Sequence, residues 1–415
     1  MNLFLVVILC AILFEYILEI ISNLLNLRAL QIDPPEPLKE VYEPGEYRRS
    51  QEYTRVNTRF GFITDTFKLV ILLVFWFAGG FNFVDQTILG LEFHVIVNGL
   101  LYIGVLILFS MFISIPFSLY GTFVIEERFG FNKTTPRTFI MDLLKGISLA
   151  TVIGGPLLAG ILVFFEYAGE FAWFYAWIAA TIFTFIIQFV APTWIMPIFN
   201  KFTPLSPGEL RDAIIDYAES VAFKYGNIYV IDGSKRSAHS NAFFTGFGKT
   251  KRIALFDTLV ETLAPEEIVA VIAHEVGHNK RRHIIYNMIT GVLHTGILLF
   301  LLSIMMENQL LFDAFLMENT SIYGTIVFFG LLFTPVGLVI SPLIGLISRK
   351  HEYEADLWAV DTITDRQFLV SGLKKLAATN LSNLSPNPLF VALNYSHPPL
   401  ADRIKKINRH SITKT

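Results

Sequence analysis

Long apolar runs recur along the chain and predict its main elements. A helix of about 20 residues crosses a hydrocarbon core about 30 Å thick, and seven apolar runs reach that length. Several of them carry Gly, Pro or polar residues, which is typical of helices packed in a bundle. The pattern predicts seven membrane spans, at about 3–27, 65–84, 94–120, 142–167, 171–198, 284–306 and 322–347.

The first apolar run contains two acidic residues. Glu15 and Glu19 are four positions apart and therefore share one helical face. That face either lies at the membrane interface or turns toward a hydrated protein interior. The run has no basic leader and no evident cleavage site, so we expect a retained span and not a signal peptide.

Basic residues in the loops predict the orientation of the spans. Lys and Arg occur in the loops after the first, third and fifth spans and after the seventh, but not in 85–93, 168–170 or 307–321. Because cytoplasmic loops carry the excess of Lys and Arg, we expect the N-terminus outside and the C-terminus in the cytoplasm.

Composition narrows the classes of function. Hydrophobic residues make up 53% of the chain and charged residues 16%, against about 25% charged in soluble domains. A net charge of -3 gives no indication of a nucleic-acid partner. Cys10 is the single cysteine, which excludes an intrachain disulfide and Cys-based zinc sites. Membrane lipids are expected partners, and the oligomeric state stays open, with a monomer compatible.

Two soluble segments, 199–283 and 348–415, are predicted on the cytoplasmic side. The first contains β-like runs at 227–231, 241–247 and 253–257, the last two forming a hairpin through Gly248, Lys249 and Thr250. A helix is predicted to begin near Pro265. The expected fold is a mainly α polytopic membrane protein with a small cytoplasmic metalloprotease region, divided as 1–198, 199–283, 284–347 and 348–415.

The strongest chemical signal lies in this predicted helix. His274, Glu275 and His278 form an H-E-x-x-H motif. Two histidines four residues apart project from one face and can bind one zinc ion, which leaves Glu275 to act on a water molecule as general base and acid. The motif predicts a zinc peptidase with one Zn²⁺ per chain.

A catalytic zinc needs a third protein ligand and one open position. Glu352 and Asp356 follow the seventh predicted span on the same side as the histidines, and on a helix they share a face. We therefore expect Glu352 to be the third ligand and Asp356 to orient a metal-bound imidazole. Glu354 points elsewhere and is predicted to be solvated.

Two other arrangements fit less well. A metzincin third histidine would stand six residues after His278, where the chain has Ile284, so His283 is predicted to be a surface residue. An intramembrane site-2-type protease would bury Lys280, Arg281 and Arg282 in the hydrocarbon at high cost. The sequence favours a site at the membrane surface.

Beyond the H-E-x-x-H helix, several motifs along the chain resemble those of the zinc-dependent CAAX prenyl proteases, membrane enzymes that mature farnesylated proteins. The motifs cover most of the chain and are more specific together than singly. They are Glu126–Thr135, Pro197–Phe202, Ser240–Phe244, Ser348–Asp356, and Ser396–Leu400 followed by Arg403.

The resemblance implies roles for further residues and for the substrate. It assigns His397 to the oxyanion, Arg403 to the surroundings of the zinc-binding histidines, and Asn241 to an extended substrate backbone. Taken alone, Asn241 and His397 are also compatible with structural roles in turns. The resemblance further implies seven helices around a hydrophilic chamber, and a polypeptide or lipidated peptide as substrate.

Two rivals to prenyl-protein processing remain open. One is a quality-control metalloprotease without a prenyl requirement, and the other is a transporter or scaffold with a degenerate metal site. The chain ends without a recognisable ER-retrieval signal. From this we expect a bacterial member of the family in the cytoplasmic membrane.

Overall fold

The computed structural model describes residues 2–36, 38–42, 44–245, 252–306 and 308–411. Helices dominate it. The N-terminal half contains α1 (Leu3–Ala29), α2 (Pro44–Phe77), α3 (Gly80–Leu89), α4 (Val95–Tyr120), α5 (Pro136–Leu149), α6 (Gly155–Tyr167), α7 (Ala172–Val190) and α8 (Met196–Phe199).

The second half combines four strands with further helices. In chain order these are β1 (Phe202–Pro204), α9 (Glu209–Ser220), β2 (Asn227–Ile231), β3 (Ala242–Thr245), β4 (Arg252–Phe256), α10 (Asp257–Thr262), α11 (Pro265–Lys280), α12 (His283–Met305), α13 (Gln309–Ala314), α14 (Ile322–Leu332), α15 (Thr334–Thr362), α16 (Arg366–Thr379), α17 (Pro388–Asn394) and α18 (Leu400–Arg409).

Six helical stretches in the described part of the chain are long and apolar enough to cross a membrane. A seventh is obtained if α14 and α15, which are bent by 55° at a short break, count as one span. Short π-helical turns at 121–126, 150–154 and 191–195 extend or join the helices of three predicted spans. The membrane character expected from the apolar runs is present, and the predicted count of seven is reached only if this bent pair is one span.

The second predicted span, 65–84, was wrong in its bounds. α2 begins about twenty residues earlier and ends at Phe77, and Gly79 then adopts φ +74° before α3 starts. The polar residues of α2 include good helix formers, so the helix continues beyond its apolar part. The hydropathy pattern identifies only the part of a helix that is apolar enough to lie in the hydrocarbon core, and it does not show where the helix itself begins.

Segments 199–283 and 348–415 contribute to one apolar core, and the first of them contains a small mixed sheet. The strand order is β1-β2-β4-β3, with β2 and β4 parallel and the other neighbours antiparallel. The predicted antiparallel pairing of β3 and β4 is confirmed, whereas β1 and the parallel pair were not foreseen. The predicted connection Gly248–Thr250 lies outside the described residues. β3 forms an edge of the sheet.

Helix α11 begins at Pro265, as the sequence predicts. Glu267, in its first turn, accepts a hydrogen bond from the Ala264 amide at 2.9 Å and others from Ser371 and Lys375 of α16. These contacts fix the N-terminal end of α11 against α16. The position and rotation of the helix that carries the H-E-x-x-H motif are thereby set.

Helices α11 and α15 approach each other closely at Gly277. A Cβ atom at this position would lie 3.0 Å from the Ala355 Cα and carbonyl oxygen and 3.1 Å from the Trp358 Cβ. Only a glycine leaves room for the backbone of α15 at this distance. The close crossing joins residues that are about 75 positions apart in sequence.

Candidate metal centre

Three potential ligands converge where α11 crosses α15. The Nε2 atoms of His274 and His278 are 3.2 Å apart. His274 Nε2 lies 3.4 Å from one carboxylate oxygen of Glu352, and His278 Nε2 lies 3.2 Å from the other. The three side chains form a group able to hold a metal ion. The structure thus brings together the residues that the sequence predicted as ligands.

The spacing of these atoms fits a tetrahedral ion. Bonds of about 2.0–2.1 Å, as found for zinc, place neighbouring ligand atoms about 3.3–3.4 Å apart. One oxygen of Glu352, Oε2, is buried and has no hydrogen-bond partner among the described residues. Two imidazoles and a carboxylate are also a donor set typical of zinc peptidases. The residues present therefore fit the predicted ion.

The outer side of His274 is held by a buried ion pair. Its Nδ1 lies 2.9 Å from Asp356, which is 1% exposed. Arg403 binds the Asp356 carboxylate through two donors, at 2.8 and 2.6 Å. Asp356 and Arg403 thus both reach the ligand they were expected to support.

The surroundings of His274 also change its proton affinity. Burial by itself lowers the pKa of an imidazole, but the nearby carboxylates of Asp356 and Glu352 outweigh it and raise the pKa of His274 to about 9. In the metal-free protein this imidazole is therefore protonated at neutral pH. A metal ion must displace that proton in order to bind.

Glu275 stands beside these groups in a cavity of about 210 Å³. Burial raises the pKa of this carboxyl, although the nearby histidines oppose the effect. A carboxylate whose pKa moves toward neutrality is better suited to accept and return a proton. Asn241, His274, Glu352, His397 and Arg403 also line the cavity.

His397 reaches the same cavity from the segment between α17 and α18. Its Nε2 lies 3.4 Å from Glu352, and its Nδ1 lies 2.9 Å from the Ser396 hydroxyl. If Ser396 donates to Nδ1, the proton of His397 is on Nε2 and faces the cavity. This arrangement is compatible with the predicted contact to an oxyanion.

Arg349 positions this segment, and the sequence reasoning assigned it no role. The side chain is 9% exposed and donates to the carbonyl oxygens of Val391 and Tyr395, at 3.2 and 2.5 Å. Tyr395 is two residues before His397. A buried arginine in the Ser348–Asp356 motif was the available signal, but its distant backbone partners are not visible in sequence.

Asn241 lies at the start of the edge strand β3. Its carbonyl oxygen accepts a hydrogen bond from Phe256 at 3.1 Å, which continues the pairing of β3 with β4 by one residue. Its side-chain oxygen accepts from the Ala242 amide at 2.8 Å. An edge strand beside the cavity offers backbone groups to an extended peptide.

One prediction for the neighbourhood of His278 was wrong. His283, predicted to be a surface residue, is 4% exposed, and its Nδ1 lies 3.0 Å from the Nδ1 of His278. Glu354, predicted to be solvated, is 37% exposed, and one of its carboxylate oxygens also lies 3.0 Å from the Nε2 of His283. The reason is a sharp corner between α11 and α12, where Arg282 adopts φ +62°.

Comparisons with known proteins cover nearly the whole chain. Residues 23–201 match the family described as CAAX prenyl protease N-terminal, five membrane helices, and residues 204–411 match peptidase family M48. The chain is 36% identical to CAAX prenyl protease 1 of Saccharomyces cerevisiae, over 90% of this chain and 88% of that protein. It is 34% identical to the rice homologue, over 96% of both chains.

A solved structure shares the fold. The crystal structure of S. mikatae Ste24p superimposes with a TM-score of 0.92 at 32% sequence identity, over 98% of this chain and 99% of that one. The two structures agree over nearly their full length, so the similarity includes the arrangement of the helices as well as the short sequence motifs.

Proposed function

The chain belongs to peptidase family M48 and is a membrane metalloprotease of the CAAX prenyl protease type, and on that basis we propose that it cleaves peptide bonds with one zinc ion held by His274, His278 and Glu352. The observation that carries the proposal is the convergence of the two imidazole Nε2 atoms, 3.2 Å apart, on the Glu352 carboxylate, with His274 Nε2 3.4 Å from one of its oxygens and His278 Nε2 3.2 Å from the other. The donor set of two imidazole nitrogens and one carboxylate supports zinc over calcium, which takes oxygen ligands.

Each surrounding residue has a chemical task in this proposal. When bound, zinc supplies the Lewis acidity that brings the pKa of a water molecule to about 7. Glu275 receives the proton of the attacking water and passes it to the leaving nitrogen. His397 donates Nε2–H to the oxygen that becomes negative, and Asp356 with Arg403 keeps His274 oriented.

Substrate binding is proposed to use the edge of the sheet. An extended peptide can add to β3 through backbone hydrogen bonds, with Asn241 at the end nearer the cavity. Such binding fixes the scissile carbonyl while demanding little of the side chains. It suits a protease that recognises a lipidated tail or an unfolded polypeptide.

The proposed physiological substrate is a prenylated polypeptide with a CAAX tail. It rests on the relatives, which are called CAAX prenyl protease 1 or its homologue. Quality control of membrane proteins is the rival within the enzyme class. The two separate when prenylated and unprenylated peptides of one sequence are compared, because strict prenyl dependence supports CAAX processing and equal cleavage supports the rival.

The proposed topology has seven spans, the N-terminus outside and the metal site at the cytoplasmic face. The basic loops support it, as does the bent pair α14 and α15 if it is one span. A hydrophilic chamber between the helices is part of the same proposal. Glu15 and Glu19 lining a cavity of about 350 Å³ support that chamber. The expected bacterial source remains a prediction.

The decisive test of the reaction uses Glu275→Gln. The variant should retain about one zinc per chain, since Glu275 is not among the three proposed ligands, but should lose cleavage of a farnesylated CAAX peptide. Full activity in the variant would refute the proposed role of Glu275. Metal-free wild-type protein that cleaves equally well would refute zinc catalysis, and a scaffold without activity would give no cleavage at all.

A further inference from the structure

The two proposed histidine ligands are supported on their outer sides in different ways. His274 contacts a carboxylate directly, that of Asp356. His278 instead contacts the imidazole of His283, and a carboxylate, that of Glu354, lies one residue further out. None of the roles assigned above uses His283 or Glu354.

The contacts of His278 determine where its proton lies when it binds a metal. Its Nε2 faces His274 and Glu352 and must present a lone pair to the ion. The proton of the neutral ring is then on Nδ1, which is 3.0 Å from the Nδ1 of His283. His278 is therefore the donor, and Nδ1 of His283 is the acceptor.

The same reasoning fixes the next ring. With its Nδ1 accepting, neutral His283 carries its proton on Nε2, which lies 3.0 Å from a carboxylate oxygen of Glu354. Each contact then has one donor and one acceptor, and the sequence of donors runs from His278 through His283 to Glu354. No other assignment of neutral rings satisfies both contacts while leaving Nε2 of His278 free.

Packing holds the middle of this chain of hydrogen bonds in place. The ring of His283 stacks on that of His351, with centroids 4.0 Å apart and planes 12° apart. His283 is also the first residue of α12, directly after the left-handed corner at Arg282. Because the ring of His283 is already held by burial and stacking, it loses little further conformational freedom when it orients the ring of His278.

We propose that His283 and Glu354 are positioning residues for the metal site, acting as a hydrogen-bonded relay that fixes the tautomer and orientation of His278. The inference rests on the proposed function, since it requires a metal at His278. The relay connects the carboxylate of Glu354 to the proposed ligand His278 through the imidazole of His283. Loss of such outer partners typically lowers metal affinity 10–100-fold.

The test is a double-variant cycle read out by zinc affinity, with chelator competition on the full-length protein in detergent. His283→Phe retains a ring for stacking but removes both hydrogen bonds, and should weaken zinc binding about 10–100-fold. Glu354→Gln removes the charge and should weaken it about tenfold. In the His283→Phe background, Glu354→Gln should add nothing, because the relay is already broken.

Controls separate a relay from general destabilisation. Lys350 also lies near Glu354, at 3.8 Å, but on its exposed side, so Lys350→Gln should leave zinc affinity unchanged. His283→Asn, whose side-chain oxygen can accept from His278, should recover part of the affinity. The visible spectrum of the cobalt-substituted protein should change with His283→Phe and Glu354→Gln but not with Lys350→Gln.

Two outcomes would overturn the inference. One is Glu354→Gln protein that binds zinc as tightly as the parent, a result that does not depend on His283→Phe folding. The other is a Glu354→Gln effect of equal size with and without His283. Failure of the parent itself to bind zinc would instead refute the proposed function, so the two failures are distinguishable.

Discussion

Substitution of Gly277 by alanine tests whether the close crossing of α11 and α15 creates the metal site. The new Cβ would lie 3.0 Å from the Ala355 Cα and carbonyl oxygen, and both are backbone atoms that cannot rotate away. Non-bonded carbon atoms prefer about 3.5–4.0 Å, so the helices must separate by a few tenths of an ångström to relieve the contact. Overpacking of this kind costs about 1–3 kcal/mol of stability.

The separation acts directly on the ligands. His274 and His278 are on α11 and Glu352 is on α15, with ligand-atom spacings of 3.2–3.4 Å. Metal–ligand distances tolerate changes of only about 0.2 Å. We therefore expect Gly277→Ala to lower zinc affinity at least tenfold, as measured by chelator competition, and to lower the melting temperature.

The matched control is Gly104→Ala in α4. No atom lies within 4 Å of a Cβ built at that position. Alanine favours a helix over glycine by about 0.5–1 kcal/mol, so stability should hold or rise slightly and zinc affinity should not change. Unchanged zinc affinity in Gly277→Ala would refute the claim that this crossing distance sets the site.

Three further predictions concern residues around the ligands. Arg403→Lys cannot reproduce the two-donor contact with Asp356, so zinc affinity should fall about 10–100-fold in the same assay, and an unchanged value would count against that support. Arg349→Lys should leave zinc bound but lower kcat roughly tenfold to a hundredfold, because the segment carrying His397 loosens; a normal kcat would argue against this positioning. In the folded, metal-free protein the pKa of His274 is raised to about 9, whereas in the unfolded chain the pKa of a histidine is about 6.5. Its contribution to stability is therefore complete below about pH 6.5 and lost as the pH rises to about 9, so the melting temperature of chelator-treated protein should fall across that window; an identical pH profile for His274→Ala would contradict this.

Local periodicity explains what the sequence predicted of the site. His274 and His278 share a helical face because they are four residues apart, and the same spacing pairs Glu352 with Asp356. Loop charges predicted that the two segments carrying these residues lie on one side of the membrane. These two patterns were enough to predict the group of ligands that the structure brings together.

The remaining features depend on geometry that periodicity does not contain. Continued α-helical spacing would turn the residue five positions after His278 away from it, but the left-handed corner at Arg282 returns His283 to the site. The backbone partners of Arg349 lie 42 and 46 residues away. The parallel pairing of β2 with β4 likewise joins strands that are distant in sequence.

The most direct measurement is anomalous diffraction at the zinc edge from crystals of the full-length protein. The account predicts a single strong peak per chain, about 2.0–2.2 Å from Nε2 of His274, Nε2 of His278 and the carboxylate of Glu352. A zinc-loaded crystal with no peak between α11 and α15, or with its peak at other side chains, would contradict it.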